Sequence, residues 1–249
     1  SIGVARKDAR AELAAFEHAV RNNLNMSVPR VLCVAKPLKV VVTNYPDDFV
    51  EELNAPSYPH DVPKEGSRMI PFSRELWIDR DDFMENPPKK FFRLAPGREV
   101  RLRYGYFITC TEVVKDAAGN VTELRCTYDP ATKGGDAADG RKVQGTIHWV
   151  SARHALDCEL RLYDKLFTVP DPDDVPDGQD FMSVMNPASL VVLKGAKVEP
   201  SVGADPVGTR YQFERTGYFI SDPDSAAGAL VFNRTVTLKD SWEKTKAKG

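Results

Sequence analysis

The stretch Lys89-Lys90-Phe91-Phe92-Arg93-Leu94-Ala95-Pro96-Gly97-Arg98-Glu99-Val100-Arg101-Leu102-Arg103 holds six cations and one anion in fifteen residues. Its second half, Glu99-Val100-Arg101-Leu102-Arg103-Tyr104, alternates polar and apolar with period two, the pattern of a half-buried strand. That period puts Arg101 and Arg103 on one solvent face and Val100, Leu102 and Tyr104 on the core face. Aromatic side chains and arginines on an exposed sheet suit single-stranded RNA. Splayed bases stack on flat side chains, and a guanidinium makes paired hydrogen bonds to a base edge or a phosphate.

Outward from this stretch the chain reads as short β segments separated by turn residues. The expected strands are 38–45, 75–79, 99–114, 121–128, 143–150, 158–163, 210–220 and 230–238. Lys115–Asn120 is expected to be a hairpin loop, with Gly119 and Asn120 suited to positive φ. Residues 129–142 read as an exposed loop. The Pro- and Asp-rich residues 170–178 read as another, and as a natural domain junction. Ahead of the strands, residues 5–24 are expected to form a helix with the stripe Leu13, Phe16, Val20 and Leu24, ended by Asn22, Asn23, Asn25 and Pro29. Many short strands at this spacing predict a mainly β fold of barrels, preceded by a short helical segment.

Composition narrows the function. The net charge of −2 over 249 residues argues against indiscriminate polyanion binding, so RNA would be held through local patches and base contacts. No run of eighteen apolar residues is present, which predicts no membrane-spanning segment. The start, Ser-Ile-Gly-Val-Ala-Arg-Lys-Asp, lacks an apolar signal region and an initiator Met, and is expected to be an internal point of a longer protein. Cys33, Cys110, Cys126 and Cys158 form no C-x-x-C motif. Cys126 reads as a small buried hydrophobe, and reduced thiols in a cytoplasmic protein are the expectation.

No phosphate-binding loop, dinucleotide fingerprint, zinc-protease motif or nucleophile elbow occurs, and His18, His60, His148 and His154 are not spaced as a metal set. His148, between Ile147 and Trp149, reads as a strand histidine hydrogen-bonded to a neighbour. No catalytic residue or cofactor is expected in these 249 residues. Trp77 and Trp149 alternate with apolar neighbours and are expected core anchors, with Trp242 sealing a barrel or a junction.

Several longer blocks carry a resemblance. Met69–Phe83, Gly97–Arg103, Asp139–Ser151, Glu159–Phe167, Tyr211–Arg215 and Val231–Val236 are similar, in this order, to segments of the glutaminyl-tRNA synthetase family. The resemblance runs from Ile2 to Trp242. It implies a class I aminoacyl-tRNA synthetase whose ATP- and glutamine-binding domain, carrying HIGH-type and MSK-type motifs, precedes this region. It further implies two β-barrels of the ribosomal protein L25 type, the distal one inserted in the proximal one. The expected partition is 1–28 for the end of a helical subdomain, 29–80 with 175–245 for the proximal barrel, and 81–174 for the distal barrel.

The resemblance also implies site residues. Arg30, Gln212 and Arg215 would read the middle anticodon base, a uridine, with Glu214 orienting Arg215 and Asn25 at the edge of that site. Arg93 would contact the third base, a guanine, with Lys90 nearby. Arg101 and Arg103 would hold the first base and its phosphates, and Arg103, in a cationic strand, would serve mainly the backbone. Phe92 stands where the family carries lysine, which suits it to stacking on a base. Lys239 and Ser241 also depart from the family pattern, and His60 and Asp61 receive no role.

The implied partner is the tRNA for glutamine, bound by a monomer. ATP with Mg and glutamine belong to the parent enzyme. The competing readings are a glutamyl-tRNA synthetase of archaeal or eukaryotic type, and a non-catalytic RNA-binding module.

Overall fold

The computed structural model describes residues 13–239. Helix α1 spans Leu13–Ser27. The Val28 amide closes on the Leu24 carbonyl, and Pro29, which has no amide hydrogen, follows as the stop. The helix therefore runs past residue 24, with Asn22, Asn23 and Asn25 inside its last turns, and residues 5–12 lie outside the described range. Leu24 packs with Val28, Tyr218 and Val236, and Val20 lies partly against them. Leu13 and Phe16 are exposed, so the expected stripe is buried only at its C-terminal half.

The strands follow as β1 (Arg30–Val31), β2 (Cys33–Val34), β3 (Pro37–Val42), β4 (Glu51–Pro56), β5 (Ser67–Phe72), β6 (Glu75–Asp79), β7 (Glu99–Leu102) and β8 (Phe107–Lys115). Then come β9 (Val121–Asp129), β10 (Thr146–Ile147), β11 (Trp149–Ser151), β12 (Leu156–Tyr163), β13 (Leu190–Val198), β14 (Arg210–Phe213), β15 (Gly217–Ser221) and β16 (Leu230–Thr237). They form two seven-stranded sheets. One has the order β1-β14-β15-β16-β12-β13-β2, the other β10-β7-β8-β9-β3-β6-β11, and β4 and β5 pair as a separate hairpin.

The edge strands of each sheet are neighbours in the chain. In the first sheet β1 and β2 are separated by Leu32, and in the second β10 and β11 are separated by His148. A single extended segment, broken at one residue, thus brings the two edges of each sheet together, and each sheet is a nearly closed barrel. Closure of this kind removes exposed edges. The expectation of a mainly β fold with two barrels behind a short helix holds.

Alternation does the sorting. In β3, Leu38, Val40 and Val42 point inward while Lys39 faces out, 2.7 Å from Glu75. The second barrel's core joins these to Leu76, Ile78, Val100, Leu102, Ile108, Leu124 and Trp149, and β4 and β5 add Leu53, Ile70 and Phe72. The first barrel's core is built on Leu160, Tyr211, Phe213, Phe219 and Phe232. Burying each such side chain contributes about 1.5–3 kcal/mol before entropy is counted. At the crossing, residues 31–34 serve both: Val31 and Cys33 enter the first core, Leu32 and Val34 the second.

Several elements differ from the sequence expectation. The strand expected at 99–114 is the hairpin β7–β8, and that at 210–220 is the hairpin β14–β15. Strand pairing places β3 and β6 in the second sheet with β9 and β11, whereas the sequence partition put 37–80 in the proximal barrel. Strand β12 pairs with β13 and β16 in the first sheet, whereas the partition put 156–163 in the distal barrel. The chain changes sheets near residues 35–36 and 152–155. The 170–178 loop connects the paired strands β12 and β13 and lies within one sheet. Trp149 is a core anchor, but Trp77 is only half-buried, 5.8 Å from the Lys197 ammonium. Trp242 lies outside the described residues. No helix of the described residues is long and apolar enough to cross a membrane.

Candidate nucleic-acid interface

Most of the expected site residues gather into two side-chain clusters, whereas Lys90 only adjoins a groove lined by other residues and Arg101 stands apart against Phe107, Gly135 and Asp136. The first cluster lies where α1 meets the first barrel. Parallel pairing of β1 with β14 sets Arg30 opposite Gln212, and antiparallel pairing of β14 with β15 sets Gln212 opposite Tyr218. The Gln212 amide donates to the Tyr218 hydroxyl at 3.1 Å, and that hydroxyl donates to Asn25 Oδ1 at 3.3 Å. Arg30 Nη2 donates to the same Asn25 oxygen at 3.3 Å. Arg30 Nε is buried with no hydrogen-bond partner among the described residues. The structure thus brings Asn25, Arg30 and Gln212 together and adds Tyr218, whose hydroxyl burial pushes above its usual pKa.

The second cluster joins the two barrels. Arg215 grips Asp82 end-on: Nη1 donates to Oδ2 at 2.5 Å and Nη2 to Oδ1 at 2.8 Å. Nη1 also lies 3.1 Å from His148 Nδ1. Arg93 Nε is 3.2 Å from Asp82 Oδ1, and Arg93 Nη1 donates to the Asp81 carbonyl. Beside them, Arg103 Nε donates to Glu214 Oε2 at 2.8 Å, and the Tyr104 hydroxyl donates to Glu214 Oε1. Asp82, His148 and Glu214 are buried. Burial pushes the Tyr104 hydroxyl up to about 12, reinforced by Glu214. Burial also lowers the pKa of His148, helped by the Arg215 charge and opposed by Asp82. The neutral ring accepts from Arg215 at Nδ1, which assigns its proton to Nε2.

Among the described residues, Tyr104 (φ 63°) and Arg215 (φ 65°) are the non-glycine residues with positive φ. Each sits at a hairpin turn, where the left-handed region costs about 1–2 kcal/mol. Each is held there by a carboxylate of the opposite barrel.

This geometry corrects three expectations. Glu214 does not orient Arg215; it holds Arg103 and Tyr104, while Asp82 holds Arg215. Arg103 is not surrounded only by like charge, since Glu214 pairs with it. Arg101 and Arg103 do not share one open face. Arg101 lies 4.5 Å from the Phe107 ring centroid and donates to the Gly135 carbonyl and to Asp136, within its own barrel, whereas Arg103 reaches Glu214 of the other barrel. Alternation alone revealed neither Asp82, His148, Tyr104 nor Tyr218. The short Asp-Asp pair after β6 and the histidine between two buried apolar residues were the available signals.

The groove lies on the second barrel. It has a volume of about 330 Å³ and is lined by Lys89, Phe92, Arg98, Arg141 and Lys142 among others. Phe92 is exposed there, and Lys90 is exposed beside it. Gly145 passes so close to the Phe92 carbonyl that a Cβ would overlap it. A larger groove, about 730 Å³, lies elsewhere, between α1 and β14, and none of the expected site residues lines it.

Positive side chains, an exposed aromatic ring and hydrogen-bonding edges in separate small sites are what base-by-base readout of an unpaired RNA loop requires. Comparison with known proteins points the same way. Residues 28–129 match a family model described as class I tRNA synthetases (E and Q), anticodon-binding domain, and residues 146–222 match a second model of the same description. A glutamine–tRNA ligase of Nitrobacter hamburgensis is 56% identical over 248 residues, covering 100% of this chain and 43% of the relative. That of Nitrobacter winogradskyi is 54% identical over 248 residues, with 100% and 44% covered. That of Pseudomonas putida is 52% identical over 242 residues, with 97% and 42% covered. The chain spans less than half the length of these curated relatives.

Proposed function

The chain belongs to the anticodon-binding family of class I tRNA synthetases for glutamate and glutamine, and from that premise we propose that it reads the anticodon of the tRNA for glutamine. The parent protein, in this reading, is a cytoplasmic, monomeric ligase that joins glutamine to its tRNA with ATP and Mg through an aminoacyl-adenylate. ATP and glutamine would be held by the part of the relatives this chain does not span. This chain supplies identity and no bond-making step.

The observation that carries the reading is the pairing of Arg30 and Gln212 in a polar cluster where α1 meets the first barrel, and of Arg93 and Arg215 around Asp82 where the barrels meet. Arg30 and Gln212, backed by Asn25 and Tyr218, are assigned to the middle base. Arg215 contributes there with the edge that Asp82 and His148 leave open, namely Nε–H and one Nη2–H. Arg93, with Lys90 near it, is assigned to the third base. Arg101 and Arg103 serve the first base and the phosphates, and Phe92 offers a stacking face. High identity to glutamine–tRNA ligases supports glutamine over glutamate.

The test is titration of the purified chain with anticodon stem-loops of glutamine, glutamate and scrambled sequence at two salt concentrations. The expected result is a preference for the glutamine loop that persists as salt rises, while all affinities fall with a slope of about −0.7 per neutralised phosphate. A preference for the glutamate loop would move the specificity to the sister enzyme. Equal binding of all three loops would reject anticodon reading.

A further inference from the structure

We propose that Asp82 is a positioning residue that couples the reading of the middle and third anticodon bases by gripping Arg215 and Arg93 with one carboxylate. The proposal rests on the assignment of those two arginines in the preceding reading; the coupling itself comes from the geometry around Asp82. Its side chain is 4% exposed, so water offers its oxygens little compensation. Oδ1 carries the load twice: it accepts from Arg215 Nη2 at 2.8 Å and faces Arg93 Nε at 3.2 Å. Oδ2 accepts from Arg215 Nη1 at 2.5 Å. The two arginines come from different barrels, Arg215 from the β14–β15 turn and Arg93 from the segment leading to β7.

Two cations share a single negative charge, and neither is fully neutralised by it. Whatever draws Arg93 away leaves the whole carboxylate to Arg215. The end-on grip then tightens, and the free side-on edge of Arg215 is fixed in direction. His148 completes the frame. It takes the remaining Nη1 hydrogen, so the guanidinium cannot turn that edge aside without losing a buried bond. Both exposures fit this role. The Arg93 side chain is 44% exposed and can move toward RNA and off Asp82, whereas that of Arg215 is 31% exposed and meets RNA with its free edge while its inner nitrogens stay on Asp82. A correct third base engaging Arg93 should therefore sharpen the choice made at the middle base. A clasp that only held the barrels together would not do this.

The experiment measures binding of this chain to RNA stem-loops carrying uridine or cytidine at the middle anticodon position, combined with guanine or adenine at the third. In the wild-type chain, the preference for uridine should be at least about threefold larger with guanine at the third position than with adenine, a coupling of the size found inside one hydrogen-bonded network. Asp82→Asn should bring that ratio to about one. Arg93→Ala, a change at a side chain that is largely exposed, should do the same although Arg93 is not assigned to the middle base. The wild-type and Arg93→Ala comparisons stand even if Asp82→Asn fails to fold.

Base preferences that combine independently in the wild type would overturn the coupling and leave anticodon reading intact. A uniform loss of affinity in Asp82→Asn with the coupling retained would show a structural clasp and also overturn it. Absence of any base preference in the wild type would reject the anticodon reading and the coupling together.

Discussion

His148 occupies the seam of the second barrel, between β10 and β11, and its ring is enclosed by charge. Asp82 and Arg215 face it directly, and the charges of Asp79 and Glu214 also act on it. Burial is the largest influence and holds its pKa below the ordinary 6.5. The unfolded chain takes up a proton near that ordinary value while the folded chain resists. The contribution of His148 to stability is therefore full above pH 6.5, and it is lost as pH falls from there to the depressed folded value. Denaturant unfolding at a series of pH values should show stability declining over that window, and His148→Gln should remove this part of the slope. At neutral pH the substitution should cost on the order of 1 kcal/mol for the lost bond to Arg215. An unchanged slope in the variant would show that His148 is not the titrating group. At this scale the sequence was informative about which cations and amides matter, because arginine and glutamine on strand-like stretches stand out. It could not show their partners. Asp82 and Glu214 are brought to Arg215 and Arg103 by the meeting of two barrels, and no local pattern encodes that meeting.

Many strand elements were legible as apolar alternation, but β1, β2, β4, β5 and β13 were not expected, and two hairpins were read as single long strands. The reason lies in the turns. A tight turn is normally announced by glycine or asparagine at the position of positive φ. Here Tyr104 and Arg215 take that conformation, so alternation appears to run straight through. The same blindness hid the break at His148, which leaves the polar–apolar rhythm intact. One element-level contact is testable by a single methyl. Gly145, just before β10, gives its carbonyl to the Arg101 amide at 2.9 Å and passes against the Phe92 carbonyl. Gly145→Ala would set its Cβ on backbone, which has no rotamer to escape into. The expected cost is about 1–3 kcal/mol by thermal or urea unfolding, as for other overpacked sites. The loop bearing Phe92 and Arg93 should shift with it, so binding at the third base should weaken more than at the middle base. Wild-type stability in this variant would mean that the loop yields freely.

At the scale of the molecule, strand spacing pointed to barrels and the family resemblance to two of them, while strand pairing sorts β3, β6 and β12 differently from the expected partition. Sequence similarity of strands says little about which sheet they join, and long-range pairing decides it. Strands β3 and β6 carry the same alternation as β12 or β16 and differ only in their partners. The crossing at residues 31–34 follows from the same pairing, with odd residues in one core and even residues in the other. Buried ion pairs add to it: Arg68, on the β4–β5 hairpin, donates to Glu199 at the end of β13, and Glu199 also accepts the Leu32 amide at 2.7 Å. Neither core is closed without that shared segment, so the barrels should unfold together. Calorimetry should give one transition with equal calorimetric and van't Hoff enthalpies. Two resolved transitions would show that the barrels are separable.

That interleaving also sets the order in which the protein can be born. The strands of the inserted barrel, β3 through β11, have all emerged by Ser151, whereas β2 must await Lys197 and Val198, and β1 must await Gln212 and Phe213. At ribosomal speeds of roughly 5–20 residues per second, those two early strands wait on the order of ten seconds or more for their mates. During that interval Val31 and Cys33 have no core to enter. The nascent chain carries all the strands of one barrel beside a bare, sticky edge, the kind of surface that chaperones exist to cover.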